Sequence, residues 1–109
     1  MRIIAVKTLR EFWNQHPSAE QPLKTWVEDV QDAAWKSPQE LKLKYRHASV
    51  ITGKRIVFNI KGNDFRLITD IEFEISLVFI VWIGTHKEYD SINAKTVRYA
   101  KTDKNRKGK

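Results

Sequence analysis

The 109-residue chain has no cysteine, one methionine, three prolines and four glycines. Without cysteine there is no disulfide framework, no thiolate nucleophile and no zinc-finger site. Also missing is any apolar run near the ~20 residues that a bilayer-spanning helix needs. The opening Met1-Arg2-Ile3-Ile4-Ala5-Val6-Lys7 lacks the apolar stretch of a secretory signal. There is no glycine-rich phosphate loop, no His-x-x-x-His pair and no Gly-x-Ser-x-Gly elbow. These absences leave cofactor-free acid–base chemistry or plain binding, in a cytoplasmic protein with no membrane partner. No metal or other cofactor is expected.

Length suits one domain with one hydrophobic core, expected over residues 1–99. The net charge of +7 is uneven. Residues 36–66 carry eight basic and two acidic side chains, and residues 94–109 carry seven and one. Residues 1–35 and 67–93 are net acidic. The stretch 100–109 has no large apolar side chain to anchor it and reads as a disordered basic tail. The block in 36–66 lies among structured segments and can form a shaped cationic patch.

Arg2 to Val6 reads as a first strand. Thr8 is a candidate helix cap ahead of Leu9, Phe12 and Trp13, and Pro17 ends that helix. Ser18 and Gln21 fit a capping box for a second helix carrying Leu23, Trp26, Val27, Val30 and Ala34 at helical spacing. Ser37-Pro38 starts a short third helix, and Lys42 to Gly53 reads as a polar loop. Lys54 to Ile60 alternates, Lys61-Gly62-Asn63 is a hairpin turn with Gly62 at positive φ, and Asp64 to Phe73 returns. Leu77 to Ile83 is almost wholly apolar, as a strand covered on both faces requires. A last helix spans about Lys87 to Val97. The expected class is α+β, in the order β-α-α-β-β-β-α. A small antiparallel sheet packs on an N-terminal helical hairpin. The four tryptophans sit at core positions, with room for one of them to bind a ligand.

Gly84-Thr85-His86-Lys87-Glu88-Tyr89-Asp90 follows the apolar strand. A residue there is held rigidly yet reaches solvent, which suits His86 as a proton-transfer group near neutral pH. Tyr89 offers a hydroxyl for a ribose or phosphate oxygen and a ring for a base. The plainer reading stays open: Thr85 caps a helix, His86 is a solvated first-turn residue and Tyr89 packs on the sheet. Arg55, Asn59, Lys61, Asn63 and Arg66 form a second constellation on the hairpin, fit to grip a phosphate or simply to face solvent. Lys42, Lys44 and Arg46, interleaved with Leu43 and Tyr45, suit a surface that follows a nucleic-acid backbone, or a solvated loop.

The stretch Val57-Phe58-Asn59-Ile60-Lys61-Gly62-Asn63-Asp64-Phe65-Arg66-Leu67-Ile68, followed by Ile83 to Asp90, resembles the HigB family of RelE-like toxins from toxin–antitoxin systems. The resemblance runs in element order over most of residues 1–93. It implies a metal-independent endoribonuclease that cleaves mRNA during translation on the ribosome. It also implies a cognate antitoxin, of the HigA-like type with a helix-turn-helix domain. Lys61, Arg66, His86 and Tyr89 fall on the motif positions expected to be catalytic. Asn63 also matches, and RNA contacts are expected from it and from Arg55, Asn59, Lys42, Lys44, Arg46 and Lys87. The rival expectation from another class is a non-catalytic RNA- or ribosome-binding module.

Overall fold

The apolar run ahead of Gly84 forms β5, Leu77–Thr85, and everything else is arranged around it. In the computed structural model, which describes residues 1–98, β1 (Arg2–Ile4) leads into α1 (Val6–Gln15). A 3-10 turn at Pro17–Ala19 joins this to α2 (Glu20–Asp32), followed by α3 (Pro38–Lys44). Then come β2 (Ser49–Val50), β3 (Arg55–Ile60) and β4 (Phe65–Glu72), and after β5 the single-turn α4 (His86–Tyr89). The tail expected at 100–109, and Tyr99 before it, lie outside the described residues.

The α+β class and the hairpin-rich sheet match expectation, with two differences. The five strands run in the order β1-β5-β4-β3-β2, and β1 pairs with β5 in parallel, Ile3 opposite Val78. The sheet is therefore mixed. The chain makes β1, crosses through the helices, and comes back to β1's side only after β4, so the two strands point the same way. The second difference is β2, two residues inside the expected loop, which extend the sheet by pairing with Ile56 and Val57.

Helices cover one face of the sheet. Leu9, Leu23, Trp26, Val30 and Leu41 pack against Ile56, Phe58, Leu67, Ile71, Val78 and Ile80. Trp26 meets Phe58 edge-on at 5.3 Å. Tyr45 joins this core rather than a nucleic-acid surface, since its ring packs on Phe58 and Trp35 and its hydroxyl donates to Asp29 at 2.8 Å. Burial, and then Asp29, push the Tyr45 phenol well above its ordinary range.

Local starts follow main-chain geometry as often as side-chain caps. Ser37 caps α3 as expected, accepting from the Glu40 amide. Thr8 and Ser18 do not cap: α1 begins two residues earlier behind Ala5, and Ser18 sits inside the 3-10 turn. There the Pro17 carbonyl already accepts from the Glu20 amide, which leaves the Ser18 hydroxyl nothing to do.

The opposite face carries a smaller apolar cluster. Val57, Ile68 and Val81 are buried there under Trp82, Tyr89, Ile92, Ala94 and Val97. The register of β5 against β4 makes this possible. Ile68 lies opposite Trp82 but Thr69 opposite Ile80, so Val81 is an extra residue, a β-bulge. Val81 and Trp82 both pack into the second cluster.

Candidate active site at the hairpin and the end of strand five

The tip of the β3–β4 hairpin, Lys61 to Asp64, is built by two successive left-handed residues, Lys61 at φ 54° and Gly62 at φ 64°. Glycine takes that conformation freely and lysine does not, so the tip stores modest strain. This turn leans on the end of β5, where the His86 amide donates to the Asp64 carbonyl at 3.0 Å. Thr85 caps α4 through a full capping box, its hydroxyl accepting from the Glu88 amide and its own amide donating to the Glu88 carboxylate. The T-x-x-E spacing of that box is visible in the sequence. The expected longer helix ends at Tyr89 instead, and residues 90–97 continue as turns.

Asn63 binds the site together. Its carbonyl lies 3.1 Å from His86 Nδ1, and its side-chain oxygen accepts from Arg66 Nη2 at 3.0 Å. A carbonyl only accepts, so this contact puts a proton on Nδ1 and, in the neutral ring, leaves the lone pair on Nε2. Nε2 points toward Asp90 at 3.7 Å, an ion pair only while the imidazole is doubly protonated. The Arg66 guanidinium lies 4.9 Å from the Tyr89 ring centroid, a cation–π contact. Its Nε is buried without a hydrogen bond among the described residues, as is Trp26 Nε1 in the core, and a buried donor left unpaired costs about 1–3 kcal/mol.

Thus Asn63, Arg66, His86 and Tyr89 come together, while Lys61 at the hairpin tip lines a separate hollow with Trp26 and Tyr45. Thr85 does cap, His86 does sit in a first turn, and Tyr89 does pack on the sheet, so the plainer reading describes the same geometry. Lys61 is tied to Asp64 at 3.3 Å, and Lys87 is exposed on α4. Asn59 pairs with Arg66 across the hairpin. On the other side of the hairpin, Lys44, Arg46 and His47 line a hollow of about 250 Å³ that reaches Asn59 and Gly62. Lys42 is exposed nearby on α3 but does not line that hollow.

Arg55 is engaged elsewhere. It faces its cross-strand partner Asp70 with two contacts of 2.8 Å, and Nη1 donates to the carbonyls of Ala94, Lys95 and Val97 at 3.2, 3.3 and 2.6 Å. Both side chains are largely buried, at 12% and 16% exposure. Where an RNA contact was expected from its alternation, Arg55 instead clasps the C-terminal segment over the second cluster.

Two further residues shape the site. Gly84 lies opposite Arg66, and a Cβ there would stand 2.4 Å from Trp82 Cη2 and 2.8 Å from Glu88 Oε1. Only glycine lets the Trp82 ring fold over the strand, where it also packs 6.2 Å from Tyr89. Trp82, like Trp13, is only partly buried, whereas Trp26 and Trp35 are buried in the core. Among the described residues no group of three or more His, Cys, Asp or Glu is placed to hold a metal ion, and no helix is long and apolar enough to cross a membrane.

Residues 19–92, carrying both motifs, match the HigB_toxin family, described as the RelE-like toxic component of a toxin–antitoxin system. The chain belongs to the HigB toxin family. Over 96 residues it is 28% identical to the mRNA interferase toxin HigB of Escherichia coli K12, covering 86% of this chain and 92% of that one. The mRNA interferases HigB of Escherichia coli O157:H7 and of Shigella flexneri match to the same extent. As a HigB-family toxin, the chain is one half of a toxin–antitoxin pair.

Proposed function

We infer that this HigB-family toxin is an endoribonuclease that cuts messenger RNA at the Arg66–His86–Tyr89 site, without a metal and during translation on the ribosome. A ribose 2′-hydroxyl attacks the adjacent phosphorus, and the P–O5′ bond breaks. The products are a 2′,3′-cyclic phosphate and a 5′-hydroxyl end. Three things are needed: an acceptor for the 2′ proton, a donor to the leaving oxygen, and positive charge on the phosphate. His86 Nε2 is the proton-transfer atom, its ring oriented through Nδ1 by Asn63. Arg66 holds the phosphate oxygens, and Tyr89 supports its guanidinium from below while offering a hydroxyl to the RNA. Lys61 adds charge from the hairpin tip. Asn59, Asn63, Lys87 and the Lys42–Lys44–Arg46 stretch contact the flanking RNA.

The observation that carries this reading is that Asn63 holds both the Arg66 guanidinium and the His86 imidazole, the ring in one tautomer. One group brings positive charge for a phosphate, and the other presents Nε2 for proton transfer. The substrate fixes the cytoplasm as the place of action, and the partner is a cognate antitoxin of the HigA-like, helix-turn-helix kind.

The test is brief induction in cells followed by mapping of mRNA 5′ ends, with wild type, His86→Ala and Arg66→Ala compared. Losing a positioned proton-transfer group should lower cleavage about 10²–10⁴-fold. Wild type that slowed growth without cutting messages would favour a non-catalytic RNA-binding module. His86→Ala cutting at the wild-type rate would remove His86 from the mechanism.

A further inference from the structure

Among the described residues β1 pairs with β5 only from Leu77 to Phe79, and beyond that point β5 has an open edge. The C-terminal turn of α1 flanks this edge on one side and the segment after α4 on the other. Between them runs a groove of about 410 Å³, lined by Phe12, Gln15, His16, Trp82, Glu88 and Ile92 among others. Its volume falls in the range of small-ligand sites and is large enough for a nucleoside.

The groove shares a wall with the candidate active site. Trp82 folds over Gly84, which is the β5 partner of Arg66, and packs on Tyr89, which carries the Arg66 guanidinium. On the other wall His16 stacks on Phe12 at 4.3 Å and 25°. Both rings meet Phe65 edge-on. Phe65 precedes Arg66 and pairs with Thr85, which precedes His86, so the stack lies one residue from each end of the reacting pair.

We propose that this groove receives the base of a nucleotide adjoining the scissile phosphate, stacked at His16 and read along its edge by Gln15. It would thereby help select the sequences that are cut. The inference rests on the RNA-cleavage reading above.

Three features favour a base over a phosphate or a peptide. Aromatic rings stand on both walls, as base stacking requires. Neither the Gln15 amide nor the His16 ring nitrogens hydrogen-bond within the described residues, so they are available to a base edge. Among the described residues no lysine or arginine lines the groove, and Glu88 does, which repels a phosphate but accepts from an amino group of a base. Arg66 lies beyond Trp82, across the Tyr89 ring, where the backbone would pass.

The experiment uses the full chain, purified, on a random-sequence pool of single-stranded RNA presented with and without ribosomes. The base frequency at each position around the cut is then read. Wild type is compared with His16→Ala and Gln15→Ala, with Glu11→Ala on the exposed face of α1 as control. Cleavage of the favoured sequences should fall at least about tenfold in His16→Ala and less in Gln15→Ala. Disfavoured sequences should change little, so the preference at one position beside the cut flattens. The control should keep the wild-type pattern. Gln15 is exposed, so that variant carries the test even if His16→Ala folds poorly. Wild type that cuts, with both variants showing its base preference unchanged, would overturn the groove assignment alone. Wild type that cuts nothing under either condition would overturn this inference together with the reading beneath it.

Discussion

Gly84→Ala should disable the site by packing alone. The added methyl would stand 2.4 and 2.6 Å from two carbons of the Trp82 ring and 2.8 Å from Glu88 Oε1. These are far inside van der Waals contact. The carboxylate could swing away, but it is also the half of the capping box that receives the Thr85 amide. The ring could turn, but it is packed in the second cluster against Tyr89. Overpacking costs about 1–3 kcal/mol and a lost cap about 0.5–2 kcal/mol, so the variant should lose about 2–4 kcal/mol. In a domain of this size that lowers Tm by roughly 10–20 °C. Thermal unfolding followed by far-UV circular dichroism measures the loss, and the near-UV tryptophan signal reports the displaced ring. RNA cleavage well below the new midpoint should fall at least about tenfold, because Arg66 lies opposite Gly84 and rests on Tyr89. Two other glycines calibrate the result. Among the described residues Gly53 has nothing within 4 Å of an added Cβ, and its φ is not positive, so Gly53→Ala should be neutral or stabilise by up to about 1 kcal/mol. Gly62, at φ 64°, should lose about 1 kcal/mol as alanine. A Gly84→Ala protein melting within about 2 °C of wild type, with its tryptophan signal intact, would refute the packing argument.

Arg55→Met should destabilise by about 3 kcal/mol in urea unfolding, since it leaves the largely buried Asp70 carboxylate without its ion pair, whereas Asp70→Asn should cost less because Arg55 keeps the carbonyls of Ala94, Lys95 and Val97. A double variant no worse than Arg55→Met alone would show the two acting as a unit. Tyr45 keeps its proton longer when folded than when unfolded, so stability should fall as pH rises above the ordinary phenol value of about 10. Because the ring is only half-buried, the loss should stay under about 1 kcal/mol, and Tyr45→Phe should remove the alkaline slope. Arg46→Ala and Lys44→Ala should each lower the salt dependence of single-stranded RNA binding by about 0.7 in log–log slope. An unchanged slope would take those residues off the RNA path.

The sequence pointed to the site because its two halves are local. The hairpin turn and the segment after the apolar strand are each short runs whose residue types carry their own chemistry. What it could not supply was the contact between them, which depends on β4 and β5 being neighbours. Asn63 therefore read only as an RNA ligand, with no sign that its carbonyl and side-chain oxygen also orient His86 and Arg66. Arg55 misled for the same reason: alternation gave its face correctly, but not that Asp70 stood opposite or that residues 94–97 would fold back over it. The parallel β1 was hidden because a three-residue strand carries no mark of direction, and β2 because two exposed residues carry no period. Trp82 read as core from the apolar run around it, and only the space above Gly84 shows where its ring goes.

The extra residue at Val81 divides β5 into two stretches with separate obligations. Before it Val78 and Ile80 turn toward the helices; after it Trp82 and Gly84 turn to the other face, beside the Arg66 of the hairpin. Strict alternation would keep all four on one face and drive the Trp82 ring into the helical core. The inserted valine switches the phase, so the side of the sheet on which the site is built rests on one added residue.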